Sequence, residues 1–257
     1  MPQPPKSILL NTEPPLARIT LAHPPQNVID IHMMEELSAA LSQVETQTEI
    51  STILFRGNEQ HFSAGVDVAA HTPDKVREML VKFHAVIRSI VSAKKVTIAA
   101  VHGNCMGGGA ELAMVCDMVF TARDAHWAFP EIKLGCFPPV ASVGLAALVG
   151  QKRAAELILT GRQISGAEAL VMGLANAAVN DDELAAVVDE TVQRLAQLSP
   201  ASLAVTKKAI YCWDAMHFDK GLARTEQIYL EELMKTEDAQ EGVKAWLEKR
   251  QATWKAR

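Results

Sequence analysis

The chain has 257 residues, 49% of them apolar, and a formal net charge of −5. That is enough for one large domain, or one domain with a small appendage. Acidic and basic residues are mixed with no basic block, which leaves nucleic-acid binding without an electrostatic footprint, and no apolar run approaches the roughly 18 residues needed to span a bilayer.

Met1 to Lys6 has neither a hydrophobic signal core nor a cleavage pattern and reads as a short disordered tail. Ile8–Leu10 and Leu16–Ala22 read as two strands, with Asn11–Pro15 as the turn of a hairpin. After the loop Pro24–Asn27, Asp30 or a neighbour caps a helix from about His32 to Thr46, in which Met33, Leu37, Ala40, Leu41 and Val44 recur at helical spacing. Thr52–Phe55 is a short buried strand, followed by a polar turn, Arg56–Gln60.

His61–Asp67 is the first stretch with chemical content. Gly65 marks unusual backbone or close approach, and Asp67 can cap the next segment. Alone, the stretch is an ordinary strand-to-loop turn or a backbone N–H, that of Val66, aimed at a ligand. Pro73–Ala93 reads as a long helix with Val76, Leu80, Phe83, His84, Ile87 and Ile90 on its apolar face; Lys94 and Lys95 suit its C-terminal dipole, and His84 reads as a packed or interface residue.

The apolar, β-branched strand Val96–Val101 runs into Gly103, Gly107, Gly108 and Gly109, and a buried helix is expected from Ala110 to Cys116. A strand that breaks into glycines and restarts as a helix is a place where backbone meets something closely, and N–H groups at a helix start can hold an oxyanion. Glu111 is a carboxylate inside this apolar run, and buried carboxylates are rare unless paired or used. A tight packing turn with a backbone-satisfied Glu explains the stretch equally well.

Met118–Ala122 is a further buried strand. Glu131 follows Pro130 and so sits on a constrained loop; by default it would be solvated. Phe137, Pro138 and Pro139 precede a helix through Leu148, with Ser142 near its start, and Gln151–Leu159 is another helix. Ser165 with Glu168 three residues on is a capping-box pattern. Amphipathic helices are expected over Leu184–Gln197, Pro200–Met216, Gly221–Met234 and Glu237–Trp254, with Lys207 and Lys208 on solvated faces. Strands alternate with helices to about Ala122 and helices dominate afterwards, giving an α/β core with a helical C-terminal third.

Cys105, Cys116, Cys136 and Cys212 show no CxxC spacing, so reduced buried thiols in a cytoplasmic protein are expected. The eight histidines lack metal-ligand spacing, no Gly-Lys-Ser/Thr comes after the glycines, and no Ser/His/Asp arrangement is readable. No metal site is expected.

Taken together, Phe62–Asp67, Gly103–Asp117, Ala128–Gly135, Leu159–Ala169 and Met172–Ala175 resemble, in order and spacing, the motifs of the enoyl-CoA hydratase/isomerase (crotonase) superfamily, over nearly the whole chain. The resemblance implies a spiral of ββα units, a core over 1–195 and a helical trimerisation region over 196–257, assembled as a trimer or a dimer of trimers. It implies an acyl-CoA thioester as substrate, coenzyme A arriving as part of it, and no separate cofactor. It places Val66 and Gly108 as the oxyanion-hole N–H donors, Glu111 and Glu131 as the catalytic carboxylates, and Ala64, Gly65, Asp67, Gly107, Phe137, Pro138 and Val140 against the substrate. Both Glu positions are filled, as in the family's hydratases; which one acts as base stays open. Where common linear-chain hydratases carry a Gly-rich segment, this chain has Phe137–Ser142 with two prolines, and Asn27–Asp30 also departs. These two segments are similar to those of the cyclohexa-1,5-diene-1-carbonyl-CoA hydratases of anaerobic aromatic degradation.

Overall fold

In the computed structural model, which describes residues 6–211 and 214–255, the chain opens with two antiparallel strands, Ile8–Glu13 (β1) and Leu16–Leu21 (β2). Their register pairs Glu13 with Leu16, so the turn contracts onto Pro14 and Pro15. Asn11–Glu13, expected in that turn, are strand: β1 is an edge strand, and its outward positions tolerate polar side chains. Residues 1–5 of the expected N-terminal tail, Met1 to Lys6, and the Cys212 thiol lie outside the described residues.

Ile31–Glu45 (α1) is capped as expected, with the Asp30 carboxylate accepting from the Met33 N–H. Thr52–Arg56 (β3), Val76–Ser92 (α2), Val96–Val101 (β4), Asn104–Met106 (β5) and Gly108–Met114 (α3) come next. Then come Met118–Ala122 (β6), His126–Ala128 (β7), Pro139–Val149 (α4), Gln151–Thr160 (α5), Ile164–Ser165 (β8), Gly166–Met172 (α6) and Ala177–Val179 (β9). The helices Asp181–Ala196 (α7), Pro200–Tyr211 (α8), Asp214–Glu231 (α9) and Glu237–Leu247 (α10) complete the chain. The expected helix over Pro200–Met216 is thus seen to Tyr211, and the next one is already formed at Asp214.

A six-stranded sheet has the order β1-β2-β3-β4-β6-β9, parallel from β2 onward, and β5-β7-β8 form a second, three-stranded sheet. Parallel neighbours need crossovers, and helices supply them. Period-two alternation sends Ile53, Phe55, Ala99 and Val101 into one apolar cluster and Leu54, Ile98, Ala100 and Phe120 into another, closed by Leu184, Val188 and Val192 of α7. With both faces covered, β4 is buried at every position. Leu222 and Tyr229 of α9 and Val243 of α10 belong to the larger cluster.

Three polar expectations are corrected. Lys207 is buried, not solvated: its Nζ lies 2.7 Å from Asp117 Oδ2 and donates to the Lys95 carbonyl at 2.9 Å. Lys95 does not serve the α2 dipole; its Nζ donates to the Gln47 carbonyl. Ser165 does cap α6, but the Glu168 carboxylate turns to Arg162, so only half of the capping box forms; the reciprocal box is at Asn180 and Glu183. Asp117 also accepts from the Thr97 N–H and hydroxyl, which ties α8 to β4 through one largely buried carboxylate. Lys207→Met leaves that charge without its counter-ion and is expected to lower unfolding free energy by about 3 kcal/mol. Urea titration checks this; a loss under about 0.5 kcal/mol, the level of an ordinary surface change, would contradict it.

Candidate active site

Two stretches of bare backbone meet. The Phe62 N–H donates to the His102 carbonyl, the Ser63 N–H to Asn104, and the Met106 N–H returns to Ser63. Gly65 (φ +100) and Gly107 (φ +51) then turn both chains in a region that disfavours side chains. A Cβ on Gly65 would stand 2.8 Å from the Met106 carbonyl oxygen. Asn27 clamps this corner from a third side: fully buried at φ +51, its amide donates to the carbonyls of His61 and Phe62.

The turn leaves two donors over. The Gly65 N–H goes to Ser63 Oγ, that of Asp67 to the Ile29 carbonyl and that of Gly107 to Ala128. The N–H groups of Val66 and Gly108 have no acceptor among the described residues. They are neighbours: a Cβ on Gly108 would lie 3.4 Å from the Val66 nitrogen. Gly108 is the first residue of α3, where a helix leaves its N–H groups free.

One turn along α3, Glu111 is 2% exposed. Its Oε1 accepts the Ala141 N–H at 2.9 Å. Pro138 and Pro139 explain this contact. Pro139 opens α4, where a missing N–H removes nothing the helix uses, and the next free N–H groups point at Glu111. Glu131 is held in a 3-10 turn, Pro130–Leu134, ended by Gly135 at φ +68. It is not the solvated loop residue its local sequence suggests. Its Oε2 is buried and unpartnered, and a Cβ on Gly107 would come within 2.7 Å of Oε1.

Burial pushes the Glu111 carboxyl up from 4.5 to about 7, with the Ala141 and Val140 N–H groups pulling it back. Burial, then the Glu111 charge, pushes Glu131 well above the carboxylate range. Two carboxyls in one dry place share a proton more readily than they carry two charges. Glu111 therefore binds a proton more tightly folded than unfolded. Between about pH 4.5 and 7 stability falls as pH rises, and above that the penalty is complete. Glu111→Gln removes the penalty: at pH 8 it is expected to raise stability by up to about 3 kcal/mol. The gap should narrow through pH 7 and close near 4.5. Melting curves across this range test it; a pH-independent gap would rule out the titration of Glu111 as its source.

A cavity of about 510 Å³ opens onto these groups. Val66, Gly108, Glu111, Glu131, Ala64, Gly65, Asp67, Gly107 and Phe137 all line it. Pro138 and Val140, expected against the substrate, do not; Val140 is fully buried in the apolar core, and Pro139 takes the wall position instead. Leu80, Phe83 and His84 of α2 and Trp246 of α10 also line the cavity, though their sequence setting points only to a core or a helix face. An i, i+3, i+4 stripe looks the same whether it faces core or cavity.

The Enoyl-CoA hydratase/isomerase family matches residues 11–257. The chain is 37% identical to a cyclohexa-1,5-dienecarbonyl-CoA hydratase of Thauera aromatica over 98% of both chains. It is 35% identical to a probable enoyl-CoA hydratase of Bacillus subtilis, over 93% of this chain and 95% of that one. An enoyl-CoA hydratase from Mycobacterium avium subsp. paratuberculosis superposes with a TM-score of 0.88 at 26% identity, covering 98% of this chain and all of that one. The two sheets and their crossover helices are the crotonase-type α/β spiral, and the chain belongs to the enoyl-CoA hydratase/isomerase family.

Proposed function

We propose that this enzyme adds water to an α,β-unsaturated acyl-CoA, and that the acyl group is cyclohexa-1,5-diene-1-carbonyl, giving 6-hydroxycyclohex-1-ene-1-carbonyl-CoA in anaerobic aromatic degradation. One observation carries the hydratase reading: two buried carboxyls with raised proton affinity face the same cavity as two undonated backbone N–H groups. Val66 and Gly108 donate to the thioester oxygen and hold the negative charge that grows there as the enolate forms. The Glu111–Glu131 pair takes a proton from water as its oxygen bonds to the β-carbon, and returns one to carbon. In the cyclic diene the enolate extends over one more double bond. Coenzyme A comes with the substrate, and the chain's own groups supply the acid–base chemistry.

The cyclic acyl group is favoured by the Phe137–Pro139 wall, stiffened by two prolines and backed by Tyr229, whose ring centroid is 5.1 Å from that of Phe137. The similarity to the Thauera aromatica hydratase points the same way. The same carboxyl pair also suits a short-chain enoyl-CoA, and relatives named probable enoyl-CoA hydratases keep that second reading. Turnover of the cyclic dienoyl-CoA beside crotonyl-CoA separates them. A preference for the diene supports the cyclic reading, and the reverse preference makes the enzyme a short-chain hydratase with an unusual wall.

The proposal includes a division into a core over 1–195 and a trimerisation region over 196–257, with trimers or pairs of trimers. Leu198, Val205 and Ile210, exposed on and beside α8, are apolar surface that such an assembly would cover. Among the described residues no helix is long and apolar enough to cross a membrane, in keeping with the proposed cytoplasmic location.

A further inference from the structure

The α2 wall of the cavity holds one polar anomaly. Leu80, Phe83 and His84 share a helix face, and Phe83 reaches the oxyanion corner: a Cβ on Gly108 would lie 3.1 Å from its Cζ. His84 is fully buried. Its Nδ1 meets the Glu226 carboxylate at 2.5 Å, and Glu226 is held in turn by Arg88, itself fixed by Asp219 at 2.9 Å. This chain fixes the ring and puts a proton on Nδ1. The other nitrogen, Nε2, is buried with no partner.

A buried polar atom without a partner costs about 1–3 kcal/mol, and because His84 lines the cavity, a ligand atom that reached Nε2 would remove that cost. The reaction proposed above limits what that atom can be. The thioester oxygen belongs to the Val66 and Gly108 N–H groups, and the rest of an enoyl group is hydrocarbon. The polar group that hydration adds to the acyl group is a hydroxyl. We infer that His84 Nε2, oriented by Glu226, accepts a hydrogen bond from the hydroxyl of the hydroxyacyl-CoA, so that His84 is a specificity-determining residue separating hydrated from unhydrated acyl groups. This rests on the hydratase reading but not on the cyclic substrate.

The test is equilibrium binding by calorimetry in the slow-turnover Glu111→Gln background, with two ester pairs: the cyclic dienoyl-CoA and its hydroxy product, and crotonyl-CoA and 3-hydroxybutyryl-CoA. His84→Met keeps the volume and removes the polar atom. It should weaken the hydroxy ester of the pair that binds by about tenfold and leave its unsaturated partner within about twofold. His84→Gln carries a polar atom near the Nε2 position and should restore most of the difference. Glu226→Gln loosens the ring without touching the wall and should give a smaller loss in the same direction; it decides the matter if the Met variant does not fold. Selective loss on the linear pair alone supports the His84 contact and removes the cyclic substrate. Equal loss on both esters, or none, in folded variants overturns the inference and leaves His84 as a packing residue.

Discussion

Glu111→Gln is expected to cut kcat for hydration by about 10³-fold while KM for the acyl-CoA stays within about threefold. The amide keeps an oxygen where Oε1 accepts the Ala141 N–H, so α4 and the cavity wall keep their shape. What disappears is a group able to take or give a proton near neutral pH, the property that burial confers on Glu111 by raising it to about 7. The unsaturated ester still finds both N–H donors and the apolar wall, so binding survives. Loss confined to kcat marks an interaction made in the transition state. A variant that turns over within tenfold of the wild-type rate would remove Glu111 from the proton chemistry.

Gly108→Val should be nearly as damaging, by a different route. The added Cβ would stand 2.6 Å from Val66 Cγ2 and 3.1 Å from Phe83 Cζ, so the Val66 segment or the α2 wall must move. Either shift spoils the spacing of the two donors proposed to act on one oxygen, and loss of one such donor typically costs about 10²–10³ in rate. The methyls also narrow the approach to the Val66 N–H. The rate should fall at least about 10²-fold, with a lower melting temperature than wild type because Gly108 is buried in α3. Unchanged steady-state kinetics in a folded Gly108→Val protein would mean that these N–H groups do not bind the reacting oxygen.

Much of this site is legible in the sequence because its chemistry is local in the chain. Gly65, Gly107 and Gly108 announce close approach wherever they stand, and Glu111 is conspicuous as a carboxylate in an apolar helix. Asp30 and Asp67 cap the next segments, as their positions suggest. The hidden features depend on distant partners. Lys207 has the helical setting of a solvated lysine; only the fold brings Asp117 to it. Glu131 has the local sequence of an exposed loop, but the fold turns its carboxyl against Gly107, where Oε2 is buried. The strands β5, β8 and β9 are two or three residues long, too short for any alternation to register. Val140 is the instructive miss: Pro138 and Pro139 do stiffen the wall, but starting α4 at Pro139 turns Val140 into the core.

The hydratase reading as a whole stands or falls on where the product's oxygen comes from. The enzyme should be incubated with the cyclic dienoyl-CoA and with crotonyl-CoA in heavy-oxygen water and the acyl-CoA products resolved by mass. The expected result is addition of one water per turnover to at least one of these esters, with the labelled oxygen on the acyl carbon skeleton. An isomeric product of unchanged mass would make the carboxyl pair an isomerase's, and no product from either ester, with carbon dioxide released from a carboxylated acyl-CoA instead, would make the site a decarboxylase's; either would contradict water addition by Glu111 and Glu131.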